Sequence, residues 1–160
     1  MVYLWFDIIK SKYNCDIVAF VIMPNHIHVL LHFNDDKFNL NKIISNGKRF
    51  MAYEIIKKLK EMKKKRILNY LSKQVSEAEI KKGQLHKVFK SSFDAKAIFS
   101  DKFLFQKLNY IHLNPVSGKW KLAKDFTEYI HSSASFYVEN KVGLYQPKHY
   151  CSLRVSGDPE

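Results

Sequence analysis

The feature that most restricts the fold is a pair of apolar segments separated by a Pro-Asn dipeptide. Residues 17–22 are apolar and largely β-branched, and residues 26–33 follow after Met23-Pro24-Asn25. Proline cannot donate a hydrogen bond to a sheet ladder, so Pro24 belongs at a turn or at the start of a strand. The pattern predicts two adjacent strands that are joined at Pro24-Asn25.

The second of these strands has two chemically different faces. Side chains two residues apart on a strand point the same way, so His26 and His28 share one face. The opposite face carries only apolar groups, those of Ile27, Val29, Leu31 and Phe33. We expect the apolar face to pack on helices and the imidazole face to remain free for a site. His32 has the parity of the pair but lies beyond Leu30, so we place it at the edge of that site.

Helical periodicity begins at Asn39. Apolar residues recur at three- and four-residue steps while lysine and arginine fall largely off that line, which predicts a basic amphipathic helix packed on the sheet; the apolar positions are Leu40, Ile43, Ile44, Gly47, Met51, Ile55, Leu59 and Met62. A second helix is predicted from the N-cap pair Ser100-Asp101 to about Asn114, before Pro115.

The remaining segments give weaker patterns. Residues 2–9 fit a short helix or a strand equally well. Residues 62–87 form a lysine-rich, partly helical connector, which is either a solvated, mobile link or a direct DNA contact. A further strand is predicted within 86–98 and a short helix at about 132–136.

Length and charge limit the class of protein. The 160 residues suffice for one compact domain, which we place at 1–150, followed by a disordered tail at 151–160. Twenty-seven Lys and Arg residues against fifteen Asp and Glu residues give a net charge of +12. Such an excess favours a polyanionic partner, usually nucleic acid and sometimes an anionic membrane surface.

Several other features point to the cytoplasm. The two cysteines, Cys15 and Cys151, are far apart and have no metal-binding spacing. No apolar run is long enough to cross a membrane, and no secretory signal is evident. We therefore expect a cytoplasmic protein with no membrane partner.

The motif His26-x-His28 is the first candidate site. Two imidazoles on one face form the beginning of a divalent metal site that needs a third protein ligand. The alternative interpretation is a pair of polar side chains that face solvent.

The second candidate site lies on the predicted helix at Gln106, Tyr110 and Asn114, which are four residues apart and share one face. A tyrosine hydroxyl on a rigid helix is a suitable nucleophile for phosphoryl transfer when a metal neutralises the developing charge. Asn114 could supply a carbonyl ligand or position the attacking group. The alternative is that Tyr110, one of nine tyrosines, only packs against its neighbours.

Two sequence segments, taken together, indicate a protein family far more specifically than either candidate site alone. The words VIMPNHIHVL at 21–30 and YIHLNPV at 110–116 resemble those of the REP-associated tyrosine transposases, relatives of the insertion-sequence transposases that use one tyrosine and an HUH motif. The likeness covers roughly 7–137, and it includes 47–53, Phe93-Asp94, Glu128-Tyr129 and Ser132-Ser133-Ala134.

The resemblance implies roles for individual residues. His26 and His28, with Asn114 as third ligand, would hold Mg²⁺ or Mn²⁺. Tyr110 would attack a DNA phosphate and form a 5′-phosphotyrosine link with release of a 3′-hydroxyl. His112 belongs to the motif but points off the Tyr110–Asn114 face, so we assign it to packing or to a hydrogen bond.

The resemblance also implies a fold and a substrate. The fold would be an α/β (α+β) ferredoxin-like antiparallel sheet with helices packed on one face. The substrate would be single-stranded DNA beside a hairpin, held in a basic groove with Lys48, Arg49 and Lys107 as contacts. Members of the family usually begin with an additional strand, which this sequence does not show. Truncation, a late start of the reading frame and completion by another chain all remain open, as do a monomer and a homodimer.

Two other functions fit the same residues. One is a DNA-binding protein that keeps the fold but has lost catalysis. The other is a metal-dependent hydrolase in which the histidine pair activates water and Tyr110 is structural.

Overall fold

The computed structural model describes residues 1–35 and 37–153. These residues form six α-helices, two strands and three short 3₁₀ helices. The α-helices are α1 (Val2–Tyr13), α2 (Leu40–Glu61), α3 (Lys65–Lys73), α4 (Glu77–Lys81), α5 (Asp101–Leu113) and α6 (Ala134–Glu139). The strands are β1 (Cys15–Ile22) and β2 (Ile27–Phe33), and the 3₁₀ helices span Asn114–Val116, Phe126–Glu128 and Tyr150–Leu153.

The chain divides into two compact units. The helical unit contains Met1–Trp5 and Asn39–Lys96, with α2, α3 and α4. The sheet unit contains Phe6–Phe38 and the chain from Ala97 onward, with both strands, α5 and α6. The single domain predicted for 1–150 therefore remains a prediction.

The predicted α+β class with an antiparallel sheet is confirmed. β1 and β2 pair antiparallel, from Cys15 opposite Phe33 to Ile22 opposite Ile27, with an irregularity at Val18. The described residues form these two strands alone, and none precedes α1.

Helices cover both faces of β1, which explains why its residues are buried on both sides. On one face, Phe20 packs against Phe6 of α1, with ring centroids 5.4 Å apart. On the other face lies an apolar cluster with residues of α5, made of Ala19, Val21, Met23, Leu108 and Ile111. A strand covered in this way reads as a continuous apolar run, as residues 17–22 do.

The expectation that the imidazole face would be free of helices is wrong. Val21 is the partner of His28 in the ladder, and opposite residues of an antiparallel pair share one face. Because Val21 is buried against Leu108 and Ile111, α5 packs on the face that carries His28. The alternation of apolar residues in β2 did not predict that α5 packs on the face with His28, because it indicated one covered face whereas both faces of the sheet are covered.

The predicted position of His32 at the edge of the site is also wrong. His32 lies opposite Asp16, at the end of the hairpin away from the Pro24 turn. His32 is four residue steps along the strand from His28, a distance of about 13 Å.

The basic helix from Asn39 is confirmed as α2. The Asn39 side chain accepts a hydrogen bond from the Lys42 amide, which caps the helix start. Gly47 lies in its interior because Trp5 occupies the space beside it, and a Cβ there would overlap the indole ring. The helix thus loses some intrinsic stability at Gly47 in exchange for close packing.

The segments between α2 and α5 depart most from expectation. The connector 62–87 contains α3 and α4, and α4 starts with a capping box between Ser76 and Glu79. The strand predicted within 86–98 is wrong, because this segment has no regular structure. Its backbone is held instead by α3 and α2: the Lys87 amide donates to the Leu71 carbonyl, and the Lys48 side chain binds the carbonyls of 90–92.

The second predicted helix is confirmed as α5, with Ser100 as N-cap and Pro115 in the 3₁₀ turn that follows it. The short helix expected at 132–136 is α6, shifted by two to three residues. Within the predicted tail 151–160, residues 151–153 belong to the last 3₁₀ helix, and 154–160 lie outside the described residues.

Candidate active site

The turn between the strands places the two histidines side by side. The Met23 amide donates to the His26 carbonyl (2.8 Å), which closes the turn directly before β2. The imidazole centroids of His26 and His28 are 4.8 Å apart, with planes at 79°. His26 Nδ1 lies 2.6 Å from the Asn25 side-chain oxygen. When Nδ1 carries the proton and donates it to Asn25, Nε2 keeps the lone pair that a metal requires.

Helix α5 brings Tyr110 to the same place. Leu108 and Ile111 anchor this helix in the cluster around Val21, the ladder partner of His28. Tyr110, between those two anchors in sequence, therefore reaches the His28 ring: the centroids are 5.1 Å apart at 77°. The Tyr110 residue is 53% exposed. Two motifs more than 80 residues apart thus meet in one site.

Lys107 supplies positive charge at this site. Its ammonium nitrogen lies 5.9 Å from the centre of the Tyr110 ring and 5.0 Å from that of Phe103. Burial lowers the pKa of His28, and the nearby charges of His26 and Lys107 lower it further. A lower pKa keeps His28 neutral at pH 7, the form that can bind a metal.

Asn114 as a third metal ligand remains a prediction. It continues the helical backbone of α5, with φ −54° and ψ −42°, so it lies one turn beyond Tyr110 on the same face. It is half-buried, whereas Gln106, one turn before Tyr110, is exposed. The described residues contain no cluster of three or more His, Cys, Asp or Glu side chains that could hold a metal. Two imidazoles with an oxygen ligand would suit a divalent cation.

The other two predicted DNA contacts belong to the helical unit. Lys48 donates to the carbonyl oxygens of Lys90 (2.8 Å), Ser91 (3.4 Å) and Ser92 (2.9 Å), and burial lowers its pKa. Its ammonium group is thus occupied in holding the backbone of 90–92. Arg49 is exposed, with one guanidinium nitrogen 3.4 Å from the Asn46 side-chain oxygen. Contact of either residue with DNA remains a prediction.

His112 is a structural residue of the sheet unit. Its Nε2 lies 2.9 Å from the Ser133 hydroxyl, and that hydroxyl also accepts from the Phe20 amide (3.0 Å) and donates to the Phe20 carbonyl (3.2 Å). One donor and two acceptor positions are what a hydroxyl offers, so His112 donates from Nε2 in its neutral form. Burial lowers the pKa of His112 to about 4. This agrees with its assignment to packing and hydrogen bonding.

Sequence reasoning missed two contributors to the site. Asn25 orients His26, and its place beside the histidine in the motif was the available signal. Tyr129 donates to the Ile22 carbonyl (2.8 Å) and so fixes the end of β1 next to the turn; no local pattern indicated this contact.

Comparison with protein families gives one match. A family model described as "Transposase IS200 like" matches residues 2–81, half of the chain. That range includes α1, the hairpin with His26 and His28, and α2 to α4. Comparisons with curated proteins and with solved structures gave no match. None of the described helices is long and apolar enough for a transmembrane span.

Proposed function

Because the chain belongs to the IS200-like transposases, we propose that it cleaves and rejoins single-stranded DNA beside a hairpin through the Tyr110 hydroxyl, at a divalent metal held by His26, His28 and Asn114. Membership of the family makes the chain a DNA-processing enzyme. The tyrosine, the metal and the form of the DNA are our proposal. The observation that carries it is the contact between the Tyr110 and His28 rings, with centroids 5.1 Å apart.

The chemistry is a transesterification at phosphorus. The Tyr110 oxygen forms a bond to the phosphorus, and the bond from phosphorus to the 3′ oxygen breaks. The hydroxyl proton of Tyr110 passes to solvent and the leaving 3′ oxygen takes a proton from solvent, so the products are a 5′-phosphotyrosine and a 3′-hydroxyl. Attack by that hydroxyl or another on the phosphotyrosine rejoins the strand and restores Tyr110.

The residues around Tyr110 fit this reaction. Bound Mg²⁺ or Mn²⁺ would polarise the phosphate and neutralise charge that develops on its oxygens. His26 and His28 would hold such an ion; the proposal is supported by their adjacent rings and by the lowered pKa of His28, which favours its neutral form. Lys107 adds a cation within 5.9 Å of the Tyr110 ring, where it would attract the phosphate backbone. The rigid helix α5 fixes the phenol, so little conformational freedom is lost on reaction.

A covalent-adduct assay tests the proposal. A labelled single-stranded hairpin oligonucleotide is incubated with the protein and Mg²⁺ or Mn²⁺, and adducts are resolved on a denaturing gel. We expect an adduct with the unchanged protein, none with Tyr110→Phe, and none in EDTA. His26→Ala should reduce adduct formation by at least tenfold while the far-UV circular dichroism spectrum is retained. Tyr70→Phe is the matched control, because Tyr70 is 63% exposed but lies on α3; its adduct should be unchanged.

Other outcomes identify the alternatives. Cleavage that survives Tyr110→Phe would contradict the tyrosine mechanism and indicate a hydrolase that activates water. Tight binding without cleavage at any metal concentration would indicate a DNA-binding protein without catalysis.

A further inference from the structure

Helix α2 has an exposed side that is basic and has a single tyrosine at its centre. Its members recur at three-, four- and seven-residue steps, so at 100° per residue they fall within a sector of about 80°. We call this surface the α2 basic stripe; it consists of Lys42, Arg49, Tyr53, Lys57 and Lys60. Tyr53 is 70% exposed, and the four cationic residues are exposed as well.

The stripe is held on a well-anchored helix. The other side of α2 is buried at Ile43, Gly47 and Met51, and Trp5 packs against Gly47. From Lys42 to Lys60 the stripe is about 27 Å long at 1.5 Å per residue. Its side chains therefore have fixed spacing along a rigid element, which suits a polymeric partner better than a small ligand.

The charge of the stripe is largely uncompensated. The ion pairs within the described part of the chain involve Lys87, Lys141 and Lys148, none of which belongs to the stripe. Two carboxylates of α2, Glu54 and Glu61, border the stripe on one side without lying in its sector. Four cations spread over about 27 Å thus favour a partner with regularly spaced negative charge.

We propose that the α2 basic stripe binds single-stranded DNA, with an unpaired base stacked on the Tyr53 ring and the adjoining phosphates on Arg49 and Lys57. The inference rests on the proposed function only in requiring DNA as the partner. Stacking on an aromatic ring needs a base whose face is accessible, which a single strand offers and an intact duplex does not. An anionic membrane fits less well, because a helix that inserts into lipid presents several Leu, Phe or Trp side chains and the stripe has none.

Equilibrium binding to a fluorescein-labelled single-stranded oligonucleotide tests this inference, with the same sequence as a blunt duplex for comparison. All measurements use the Tyr110→Phe background in EDTA, so that cleavage plays no part. Tyr53→Ala should weaken single-strand binding roughly 5- to 150-fold, equivalent to about 1–3 kcal/mol for one stacked base. Tyr53→Phe should keep the affinity, and duplex binding should change by less than about twofold in both variants.

The charged residues of the α2 basic stripe predict a different effect, on the salt dependence of DNA affinity. Arg49→Gln and Lys57→Gln should each lower the slope of log affinity against log salt by about 0.7, whereas Tyr53→Ala should leave that slope unchanged. Phe99→Ala is the control for an exposed aromatic residue: Phe99 is 92% exposed and adjoins Ser100 and Asp101, not a row of cations. It should bind like the unchanged protein.

Three results would overturn the inference: a Tyr53→Ala affinity equal to that of Phe99→Ala, an equal loss for duplex and single strand, or unchanged DNA binding together with lost binding to phosphatidylserine vesicles. The Tyr110 proposal can fail independently. If Tyr53→Ala loses single-strand affinity but the unchanged Tyr110 protein forms no adduct, the stripe stands and the tyrosine mechanism does not. If the unchanged protein forms an adduct but Tyr53→Ala keeps its single-strand affinity, the tyrosine mechanism is supported and the binding role of the α2 basic stripe is contradicted.

Discussion

Replacing Ser133 with alanine should loosen the attachment of α5 to the sheet. The Ser133 hydroxyl lies within hydrogen-bond distance of the Phe20 amide (3.0 Å), the Phe20 carbonyl (3.2 Å) and His112 Nε2 (2.9 Å), and the residue is 1% exposed. Alanine leaves two buried donors, the Phe20 amide and His112 Nε2, without this acceptor. The Phe20 carbonyl keeps the bond from the Ser133 amide.

The size of the effect follows from those two donors. Each buried donor that loses its partner costs about 1–3 kcal/mol, so we expect Ser133→Ala to lower the free energy of unfolding by about 2–6 kcal/mol. Ser132→Ala is the matched control, because Ser132 is also buried but its hydroxyl accepts one hydrogen bond, from the Ala134 amide (3.2 Å). That change should cost about 1 kcal/mol.

Urea unfolding, monitored by circular dichroism, measures the free energy of unfolding of both variants. Thermal denaturation measures their Tm. For a chain of this length, about 3 kcal/mol corresponds to a decrease in Tm of about 6–12 °C. A loss for Ser133→Ala no larger than that for Ser132→Ala would refute the assignment of three hydrogen bonds to one hydroxyl. Since His112 belongs to the helix that carries Tyr110, adduct formation should also decrease in Ser133→Ala below its unfolding temperature.

Three further predictions concern other contacts. Gly47→Ala should lower the free energy of unfolding by about 1–2 kcal/mol, because overlap with Trp5 outweighs the gain in helix propensity. In a Trp5→Leu background the same change should be neutral or stabilising. Thermal denaturation measures both effects. The pKa of His112 is about 6.5 in the unfolded chain and about 4 in the folded protein. The stability due to its neutral form is therefore present above pH 6.5 and is lost as the pH falls toward 4, by up to about 3 kcal/mol. Urea unfolding at pH 7.5 and pH 4.5 should show this loss, and His112→Gln should reduce it. Lys48→Met should speed tryptic cleavage after Lys90, because the carbonyls of 90–92 lose their common donor, whereas Lys42→Met should not.

The elements that were predicted correctly carry strong local signals. β1 and β2 combine apolar runs with a proline break, α2 has a long stripe of regular period, and α5 lies between a serine cap and Pro115. These signals depend on residues close in sequence. The adjacency of His26 and His28 follows from the same local geometry, since residues two apart on an extended chain share a face.

The errors concern what each element packs against. The free imidazole face, the position of His32 and the strand within 86–98 all depended on partners far away in the sequence. The last failed because strand formation needs a neighbouring edge, and the backbone of this segment bonds to α3 and to the Lys48 side chain instead. The contact between Tyr110 and His28 arises from α5 packing on Val21, which only the resemblance to a family indicated beforehand.

The outer edge of β1 is closed by its own chain. The Ile22 amide donates to the His131 carbonyl (2.9 Å), the Ser133 amide donates to the Phe20 carbonyl (3.0 Å), and Tyr129 binds the Ile22 carbonyl. With the Ser133 hydroxyl on the Phe20 amide, every ladder group of Phe20 and Ile22 on that edge is satisfied. A strand from another polypeptide could therefore extend this sheet at that point only by displacing residues 129–133, and β-augmentation would otherwise have to proceed alongside β2.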